Sequence, residues 1–296
     1  MTVDPSEVHA VVVAFNPGPS LERLCGTLVA AGCPVLVVDN ASESGHDVLA
    51  ACRDACAEVL RLPENAGVSG ALTVGYSHSL GYKWLLTFDQ DSIIEAEFIQ
   101  ALLSSPAIRE PQVAMIGPRV VDASKGNLLQ GSERRNGPET VPLIITSGAL
   151  CRVSALDNVG GFREDLFIDH VDHDICLRLR SQGWTITVEP SATMRHSVGQ
   201  MRTHRVAGIG IRNSHHSADR QYYKYRNFIL LLRDGTARTD LRWSLRTLLA
   251  LSWGPLKILT FETDKAAKLK AICAGVCDGV CVRAGRRPDP APRRTS

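Results

Sequence analysis

The chain has 296 residues, of which 44% are apolar and 22% charged, with a formal net charge of +2. This composition excludes collagenous, low-complexity and disulfide-scaffold proteins, and the length allows a large buried core. Residues 1–219 carry 17 Lys and Arg against 25 Asp and Glu, whereas residues 220–296 carry 16 against 6. The asymmetry predicts an acidic body with a basic tail that faces an anionic partner. Because no nucleic-acid-binding motif accompanies the tail, we expect a membrane surface and no nucleic acid.

The first part of the chain alternates short apolar strands with helices. Strands are predicted at residues 8–15, 34–38, 58–62 and 84–88, with helices at about 20–32, 45–56 and 68–80. This alternation predicts an α/β fold with a Rossmann-like, mostly parallel central sheet flanked by helices. Ligands bind beyond the carboxyl ends of such strands. Four polar residues lie at those ends: Asn16, Asp39, Asn65 and Asp91.

The pattern changes twice after residue 112. Residues 113–188 are mixed, with strands expected at 115–118 and 143–150 and a helix at 172–182, whereas the chain beyond residue 200 is basic and helical. We therefore expect one domain at 1–219, with a nucleotide half at about 1–112 and an acceptor half at about 113–219. A basic amphipathic helical extension follows at 220–285, with candidate helices at 221–232 and 241–261. Residues 286–296 are Pro- and Arg-rich and predict a disordered tail.

The cysteines and the apolar stretches bear on where the protein resides. Nine cysteines lack paired metal-finger spacing and no secretory leader precedes the first strand, which predicts a cytoplasmic protein with reduced thiols. The longest apolar stretch, residues 248–261, is too short to cross a membrane. Cys273, Cys277 and Cys281 share one predicted helical face, where small-residue packing, a metal site and lipidation are the alternatives.

Asp89-Gln90-Asp91 directly follows a strand that is apolar throughout. Desolvated carboxylates this close repel each other unless a cation neutralises them. Hard oxygen ligands suit Mn²⁺ or Mg²⁺, and either ion suits a diphosphate group. An isolated Asp-x-Asp triplet is also common in solvated turns, so the surrounding motifs decide between the two interpretations.

Four successive strand ends supply those motifs: Val13-Ala14-Phe15-Asn16, Val38-Asp39-Asn40-Ala41, Glu64-Asn65-Ala66-Gly67 and Phe88-Asp89-Gln90-Asp91-Ser92. Their order and spacing resemble the nucleotide half of family 2 glycosyltransferases, which have the GT-A fold. With Gly160-Gly161-Phe162 and Phe167-Ile168-Asp169 downstream, the chain is most similar to the bacterial rhamnosyltransferases that use dTDP-L-rhamnose. The resemblance covers most of residues 8–230.

The resemblance implies a nucleotide site at these strand ends. Phe15 and Asn16 would line the base and ribose, Asp39 would accept a hydrogen bond from the pyrimidine ring, and the loop of Asn65 and Gly67 would close over the nucleoside. From the residues alone, an Asx turn at a strand end is the structural alternative for Asp39. The Asn65 loop is likewise consistent with an ordinary helix start.

The resemblance also implies a metal site and an acceptor site. Asp91 would be the direct metal ligand, Asp89 a metal or ribose contact, and His196 a third metal ligand. A lone histidine is otherwise more often a packing or surface residue. Ser147 and Gly148 match a segment beside the acceptor and the sugar.

Residues 165–174 hold a dense group of acids and histidines before a predicted helix. Inverting glycosyl transfer needs one general base for the acceptor hydroxyl. The resemblance places Asp172 at that position with Asp174 next, while Asp169 remains a third candidate that we group with the acceptor side. Helix capping and an ion pair to Arg178 or Arg180 are the structural alternatives for these acids.

The resemblance implies an inverting transfer of L-rhamnose from dTDP-β-L-rhamnose to a hydroxyl of a glycan or polyprenyl-linked glycan, in cell-surface polysaccharide synthesis. A UDP-sugar donor and a catalytically inactive membrane-associated scaffold are the alternatives. We expect a peripheral protein at the inner face of the plasma membrane, bound through its aromatic and cationic tail. Packing of the tail helices on the body is the competing interpretation. Arg226 could meet the donor diphosphate, and the oligomeric state is open, with a homodimer as one alternative.

Overall fold

The computed structural model describes residues 2–123, 126–132, 137–196, 201–206, 209–214, 216–283 and 285–287, with the backbone alone for 201–206 and 209–214. Residues 8–89 form the alternating strands and helices that the sequence predicts, and a short strand and a helix that it did not predict follow. The strands are β1 (Val8–Ala14), β2 (Val35–Asp39), β3 (Glu58–Arg61), β4 (Trp84–Asp89) and β5 (Ile93–Ile94), and the helices are α1 (Ser20–Ala30), α2 (His46–Asp54), α3 (Gly67–Ser77) and α4 (Glu97–Leu103).

The remaining chain adds further strands and the C-terminal helices. The strands are β6 (Val113–Asp122), β7 (Leu128–Gln130), β8 (Glu139–Thr140), β9 (Ala149–Arg152), β10 (Thr185–His196), β11 (Met201–Val206) and β12 (Ile209–Ser214). The helices are α5 (Val153–Asn158), α6 (Val171–Ser181), α7 (Ala218–Arg233), α8 (Leu241–Ser252), α9 (Gly254–Phe261) and α10 (Lys265–Val280). The helix expected over residues 241–261 is two helices, because Pro255 lacks the N–H that a continuous helix would use.

The main sheet has the order β3-β2-β1-β4-β9-β6-β10-β5. Strands β1 to β4 are parallel, as the alternation predicts. Strand β6 is also parallel to β10, but the sheet is mixed and not purely parallel, because β9 runs antiparallel to β4 and β6 and β5 runs antiparallel to β10. The strand expected at 143–150 begins only at Ala149, after a turn at Gly148 whose φ of 75° favours glycine.

The core lies on both faces of β1, in which every residue is buried. Val12 packs with α1 on one face, whereas Val11 packs with α3 on the other. A Cβ atom on Gly75 of α3 would lie 2.3 Å from Val11, so α3 rests directly on the strand. This contact packs the last turns of α3 against the middle of β1.

The C-terminal helices pack on the body through α7. Helix α10 contacts α7 closely, since a Cβ atom on Gly275 would lie 2.4 Å from the carbonyl oxygen of Tyr222. Glycines therefore form the small-residue face of α10, whereas the cysteines expected there are exposed. The described end of the chain is bound as well, because the Arg287 N–H donates to the Tyr223 hydroxyl (2.7 Å). Residues 288–296 of the expected disordered tail lie outside the described residues.

Among the helices that the structure describes, none is long and apolar enough to cross a membrane.

Candidate active site

The ends of three parallel strands meet at one edge of the sheet. Ala14 pairs with Asp39 across β1 and β2, and Val13 pairs with Asp89 across β1 and β4. The parallel register thus places the residues predicted for the nucleotide and the metal side by side. Of these residues, Phe15 is exposed at 42%, which leaves its ring accessible at the end of β1.

The loops after β1 and β2 are tied to each other. Asn16, whose φ is 50°, accepts hydrogen bonds at Oδ1 from two successive backbone N–H groups of the β2–α2 loop (2.8 and 3.0 Å). Asp39 is buried, and its carboxylate accepts from the Ser42 N–H (3.0 Å) and pairs with Arg61 (3.3 Å). The carboxylate therefore makes a local turn bond, and its contact with a pyrimidine ring stays a prediction.

Asn40 was not predicted as a site residue, yet it joins the β2 loop to the β3 loop. Its Nδ2 donates to Asn65 Oδ1 (3.0 Å) and to the Gly67 carbonyl (3.1 Å), while its Oδ1 accepts from the Ala66 N–H (2.8 Å). Asn65 Oδ1 also accepts from the Gly67 N–H (2.9 Å). The loop predicted to close over a nucleoside is thus fixed by an asparagine that follows Asp39 in the sequence.

Gln90, between the two acids, holds the end of β1. Its Oε1 accepts from the Phe15 N–H (2.7 Å) and its Nε2 donates to the Phe15 carbonyl (3.0 Å). The side chain thereby continues the sheet pairing one step beyond the strand. The sequence shows that a polar residue lies between the two acids, but it does not show that this residue binds the backbone of Phe15 at the end of the neighbouring strand.

Asp89, Asp91 and His196 form a group whose ligand atoms all lie within 4.8 Å of one another. The pairing of β5 with β10 brings them together, because Ile93 pairs with Arg195 only two residues after Asp91. His196 lies 107 positions from Asp89 along the chain, at the end of β10. The structure therefore assembles the three residues that the resemblance assigned to the metal.

The chemistry of this group fits a divalent cation. His196 Nδ1 is buried, has no hydrogen-bond partner among the described residues, and lies 4.0 Å from Asp91 Oδ1. Burial raises the pKa of Asp89 to about 6; His196 lowers it, and Asp172 and Asp91 raise it further. An unpaired imidazole nitrogen beside two repelling carboxylates is the environment that a metal ion would neutralise.

Asp172 and Asp174 occupy the first turn of α6 but have different surroundings. Asp172 Oδ1 accepts from the Thr146 hydroxyl (2.7 Å) and N–H (3.2 Å), and its charge acts on Asp89. Asp174 is buried and accepts from Arg178 Nε (2.8 Å), with Arg163 at 3.5 Å. Asp174 therefore has the structural ion pair that was its alternative. The N-cap residue of α6 is His170, which makes no side-chain capping bond, so helix capping is not the role of Asp172 or Asp174.

Two arginines of α7 have roles that the sequence did not separate. Arg220 forms a two-pronged ion pair with Asp169 (2.8 and 3.3 Å) and is electrostatically coupled to Asp89 and Asp172. Arg226, named as a candidate for the diphosphate, is 1% exposed and bonded to backbone carbonyls, so it is unavailable to a ligand. No local sequence signal distinguishes the two arginines, since both belong to one basic helix.

Ser147 and Gly148 lie behind the acids. Ser147 Oγ accepts from the Asp89 N–H (3.1 Å) and shares a hydrogen bond with Ser92 Oγ (2.6 Å). Gly148 leaves no room for a side chain, because a Cβ atom would lie 2.9 Å from Pro118. Their predicted contact with acceptor or sugar stays a prediction, and their observed contacts support the Asp89 loop.

The fold and the site define a class of protein. The family described as Glycosyl transferase family 2 has a model that matches residues 10–160, and the chain belongs to this family and is a glycosyltransferase. Two relatives follow it over nearly their whole length. A dTDP-rhamnosyl transferase RfbF from Shigella flexneri is 30% identical over 292 residues, covering 93% of this chain and 96% of the relative. An N-acetylglucosaminyl-diphospho-decaprenol L-rhamnosyltransferase from Mycobacterium tuberculosis (strain ATCC 25618 / H37Rv) is 27% identical over 305 residues, covering 88% and 96%.

Solved structures show the same fold. Residues 1–349 of S. aureus TarS in complex with UDP-GlcNAc give a TM-score of 0.59 at 16% identity, covering 92% of this chain and 81% of the other. GalNAc-T7 with UDP, GalNAc and Mn²⁺ gives a TM-score of 0.58 at 13% identity, covering 76% of this chain and 47% of the other. These similarities confirm the predicted GT-A-like architecture with its C-terminal helices.

Proposed function

We propose that this chain is an inverting rhamnosyltransferase that moves L-rhamnose from dTDP-β-L-rhamnose to a hydroxyl of a glycan or polyprenyl-linked glycan. The printed activities of the two relatives support the sugar. One observation carries the reaction type: Asp172, oriented by Thr146, is close enough to act on the charge of Asp89 in the group with Asp91 and His196. The proposed base and the metal-binding group thus lie close enough together to interact electrostatically.

Asp172 is the general base in this proposal. Thr146 holds one carboxylate oxygen, and the other has no hydrogen-bond partner among the described residues. That oxygen takes the proton of the acceptor hydroxyl while the hydroxyl oxygen bonds to the anomeric carbon. The bond from that carbon to the diphosphate breaks on the opposite face, so a β-linked donor yields an α-L-rhamnoside and dTDP.

Asp91, His196 and Asp89 would hold Mn²⁺ or Mg²⁺. Such an ion supplies positive charge to the departing diphosphate. Arg220 would supply further charge, since its guanidinium is 45% exposed and is coupled to both Asp89 and Asp172. Phe15, Asn16, Asp39 and the Asn65 loop would bind the nucleoside at the adjoining strand ends.

A donor comparison tests the proposal. The purified protein is incubated with Mn²⁺ and dTDP-rhamnose, UDP-glucose or UDP-N-acetylglucosamine, and released nucleotide is measured. We expect release from dTDP-rhamnose alone. Turnover only with a UDP sugar would refute dTDP-rhamnose as the donor and support the UDP-sugar alternative. The solved neighbours bound to UDP and to UDP-GlcNAc are the reason for including UDP sugars.

The scaffold alternative predicts a different cellular result. If the chain only organises an assembly complex, replacing its endogenous copy with Asp91→Ala leaves the cell-surface glycan unchanged. We expect the glycan to lose rhamnose instead, because Asp91 belongs to the metal-binding group.

The C-terminal helices support binding to an anionic membrane at the cytoplasmic face. Helices α8 and α9 expose a row of large apolar side chains: Leu241, Leu245, Leu248, Leu249, Trp253, Leu256 and Leu259. Between Asp240 and Glu262 the only charged residues are cationic: Arg242, Arg246 and Lys257. Apolar side chains flanked by cations are typical of helices that lie in a membrane interface. Trp243 of α8 does not belong to this row, since it is buried and packs on α7.

Vesicle flotation tests this surface. We expect binding to vesicles that contain phosphatidylglycerol, weaker binding to phosphatidylcholine alone, and loss of binding for Leu248→Glu combined with Leu256→Glu. Leu80→Glu is the control, because Leu80 is an exposed leucine just after α3, outside helices α8 and α9. Flotation that is identical for both variants would refute the assignment, and a change of molecular mass in solution would indicate a homodimer contact instead.

A further inference from the structure

The segment of residues 165–170, between the Gly160-Gly161 turn and α6, has a strained backbone. Phe167 has φ 64° and ψ −65°, and the Ile168 N–H donates to the Leu166 carbonyl (2.8 Å). This is the γ-turn with positive φ, the rarer and more strained of the two forms. Asp169 and His170 also have positive φ, at 65° and 62°. Residues with a Cβ atom keep such conformations only where the surrounding structure holds them, often at functional sites.

Asn227 of α7 holds this segment from behind. Its side chain is fully buried, and Nδ2 donates to the carbonyls of Leu166 (2.9 Å), Ile168 (2.8 Å) and Asp169 (2.8 Å). Three carbonyls from four successive residues converge on a single nitrogen only because the backbone is turned inward. Without this donor the partly buried carbonyls of Ile168 and Asp169 would lose their hydrogen bond, which is costly, whereas the Leu166 carbonyl would keep its bonds from Ile168 and Arg226.

Arg226 fixes the orientation of that carboxamide. Its Nε donates to Asn227 Oδ1 (2.9 Å), while Nη2 donates to the carbonyls of Asp165 (2.8 Å) and Leu166 (3.0 Å). Its guanidinium lies over the ring of Tyr223 (4.8 Å), which in turn stacks on Phe167 (4.8 Å). The strained turn is therefore held through its backbone and through its ring by one helix.

The same segment touches both halves of the site. The Ser69 N–H, in the first turn of α3, donates to the Phe167 carbonyl (3.1 Å), and Gly67 approaches that carbonyl so closely that a Cβ atom would lie 2.2 Å from it. On its other side, His170 is the first residue of the turn that places Asp172 at the start of α6.

We propose that Asn227, oriented by Arg226, is a positioning residue that holds residues 165–170 in the strained conformation and thereby places Asp169 and Asp172 against the nucleotide loop. The inference rests on the proposed role of Asp172 as the base. It makes helix α7 of the C-terminal extension a required part of the catalytic site. The nucleotide-side residues of β1, β2 and β4 do not depend on this contact.

The test compares Asn227→Ala with Tyr225→Phe. Tyr225, on the same helix, is buried and donates to the Leu251 carbonyl (2.6 Å), so its loss removes a buried hydrogen bond that holds α8 instead. Misplacement of a catalytic group by about 1 Å lowers a rate by about 100-fold. We therefore expect kcat to fall about 100-fold in Asn227→Ala, with the Kd for Mn²⁺ within about threefold of the wild type. Tyr225→Phe should lower Tm with kcat unchanged.

The proposal would be overturned if Asn227→Ala and Tyr225→Phe lowered Tm by the same amount and lost kcat equally. An unchanged kcat in Asn227→Ala would also overturn it. If Asn227→Ala does not fold, Arg226→Lys replaces it, because lysine keeps the charge but lacks the planar group that orients the carboxamide. The expected loss of kcat is then about tenfold.

Hydrogen exchange separates this inference from the proposed function. Amides of residues 166–172 should exchange faster in Asn227→Ala than in Tyr225→Phe, whether or not a donor is known. A wild-type protein that turns over no nucleotide sugar would refute the proposed function, and unchanged exchange in Asn227→Ala would refute the positioning role.

Discussion

Two parts of the site are built in different ways. At the sheet edge, Asn16, Asp39 and Asp89 follow directly from parallel strands, so their positions depend on register. The segment before Asp172 instead has three residues with positive φ and is held by buried side chains of α7. Changes at the sheet edge should therefore remove one group at a time. Changes around the strained segment should displace several groups together.

The largest expected effect is the loss of activity when the metal-binding group is changed. In Asp91→Ala we expect transfer to fall about 10⁴-fold, because a bound cation contributes several kcal/mol to stabilising the leaving diphosphate. Mn²⁺ affinity should fall in parallel, measured by titration calorimetry. Glu95→Ala is the control, an exposed acid four residues further along the chain. Unchanged Mn²⁺ affinity in Asp91→Ala would contradict the metal assignment.

The next prediction compares two acids in one helical turn. Asp172→Asn should lower kcat about 10³-fold, since a general base contributes 10²- to 10⁴-fold, while dTDP binding persists. Asp174→Asn should instead lower the free energy of unfolding by about 3 kcal/mol, because it breaks a buried ion pair with Arg178 and Arg163. Steady-state kinetics and denaturant unfolding measure the two effects. The assignment of the base is wrong if Asp174→Asn shows the catalytic loss and Asp172→Asn the loss of stability.

A smaller effect is expected at the cation between the two parts. Arg220→Gln should weaken dTDP binding about tenfold, as expected for one partly exposed charged hydrogen bond, and leave thymidine binding unchanged. Arg233→Gln, near the end of the same helix, serves as the control. Equal losses for dTDP and thymidine would show that Arg220 acts through the fold and not on phosphate.

The smallest effect concerns stability and pH. Burial lowers the pKa of His170 to about 3, with His173 and Lys224 lowering it as well and Asp169 opposing them. The folded protein therefore holds this imidazole neutral, whereas the unfolded chain binds a proton below pH 6.5. The contribution of His170 to the free energy of unfolding is fully present above pH 6.5. It is lost as pH falls toward 3, by about 1.4 kcal/mol per pH unit. His170→Asn removes the titrating group and keeps the backbone, because asparagine tolerates positive φ. The free energies of unfolding measured with denaturant at pH 7 and 5.5 should therefore differ less in this variant than in the wild type. An equal slope in both proteins would contradict the buried neutral state.

Much of the sheet edge could be predicted from local sequence. Asp39 and Asp91 were found because apolar strands precede them and parallel strands end at one edge. Asn40 and Gln90 belong to the same motifs, yet their partners lie in neighbouring loops. Arg220 and Thr146 gave no signal, because each gains its role through a residue far away in the chain. The antiparallel direction of β9 gave no local signal either, since it depends on the turn before the strand.

The sequence by itself determined the family resemblance, the parallel strands β1 to β4 and the acids at their ends, because strand periodicity and strand-end position are local properties. The tertiary structure alone decided which acid of α6 accepts from Thr146 and acts on Asp89, and which is paired with Arg178. It also decided that Arg226 and Asn227 are buried behind residues 165–170. Such choices depend on buried hydrogen bonds between segments about 60 residues apart, and desolvation makes each of those bonds effectively obligatory.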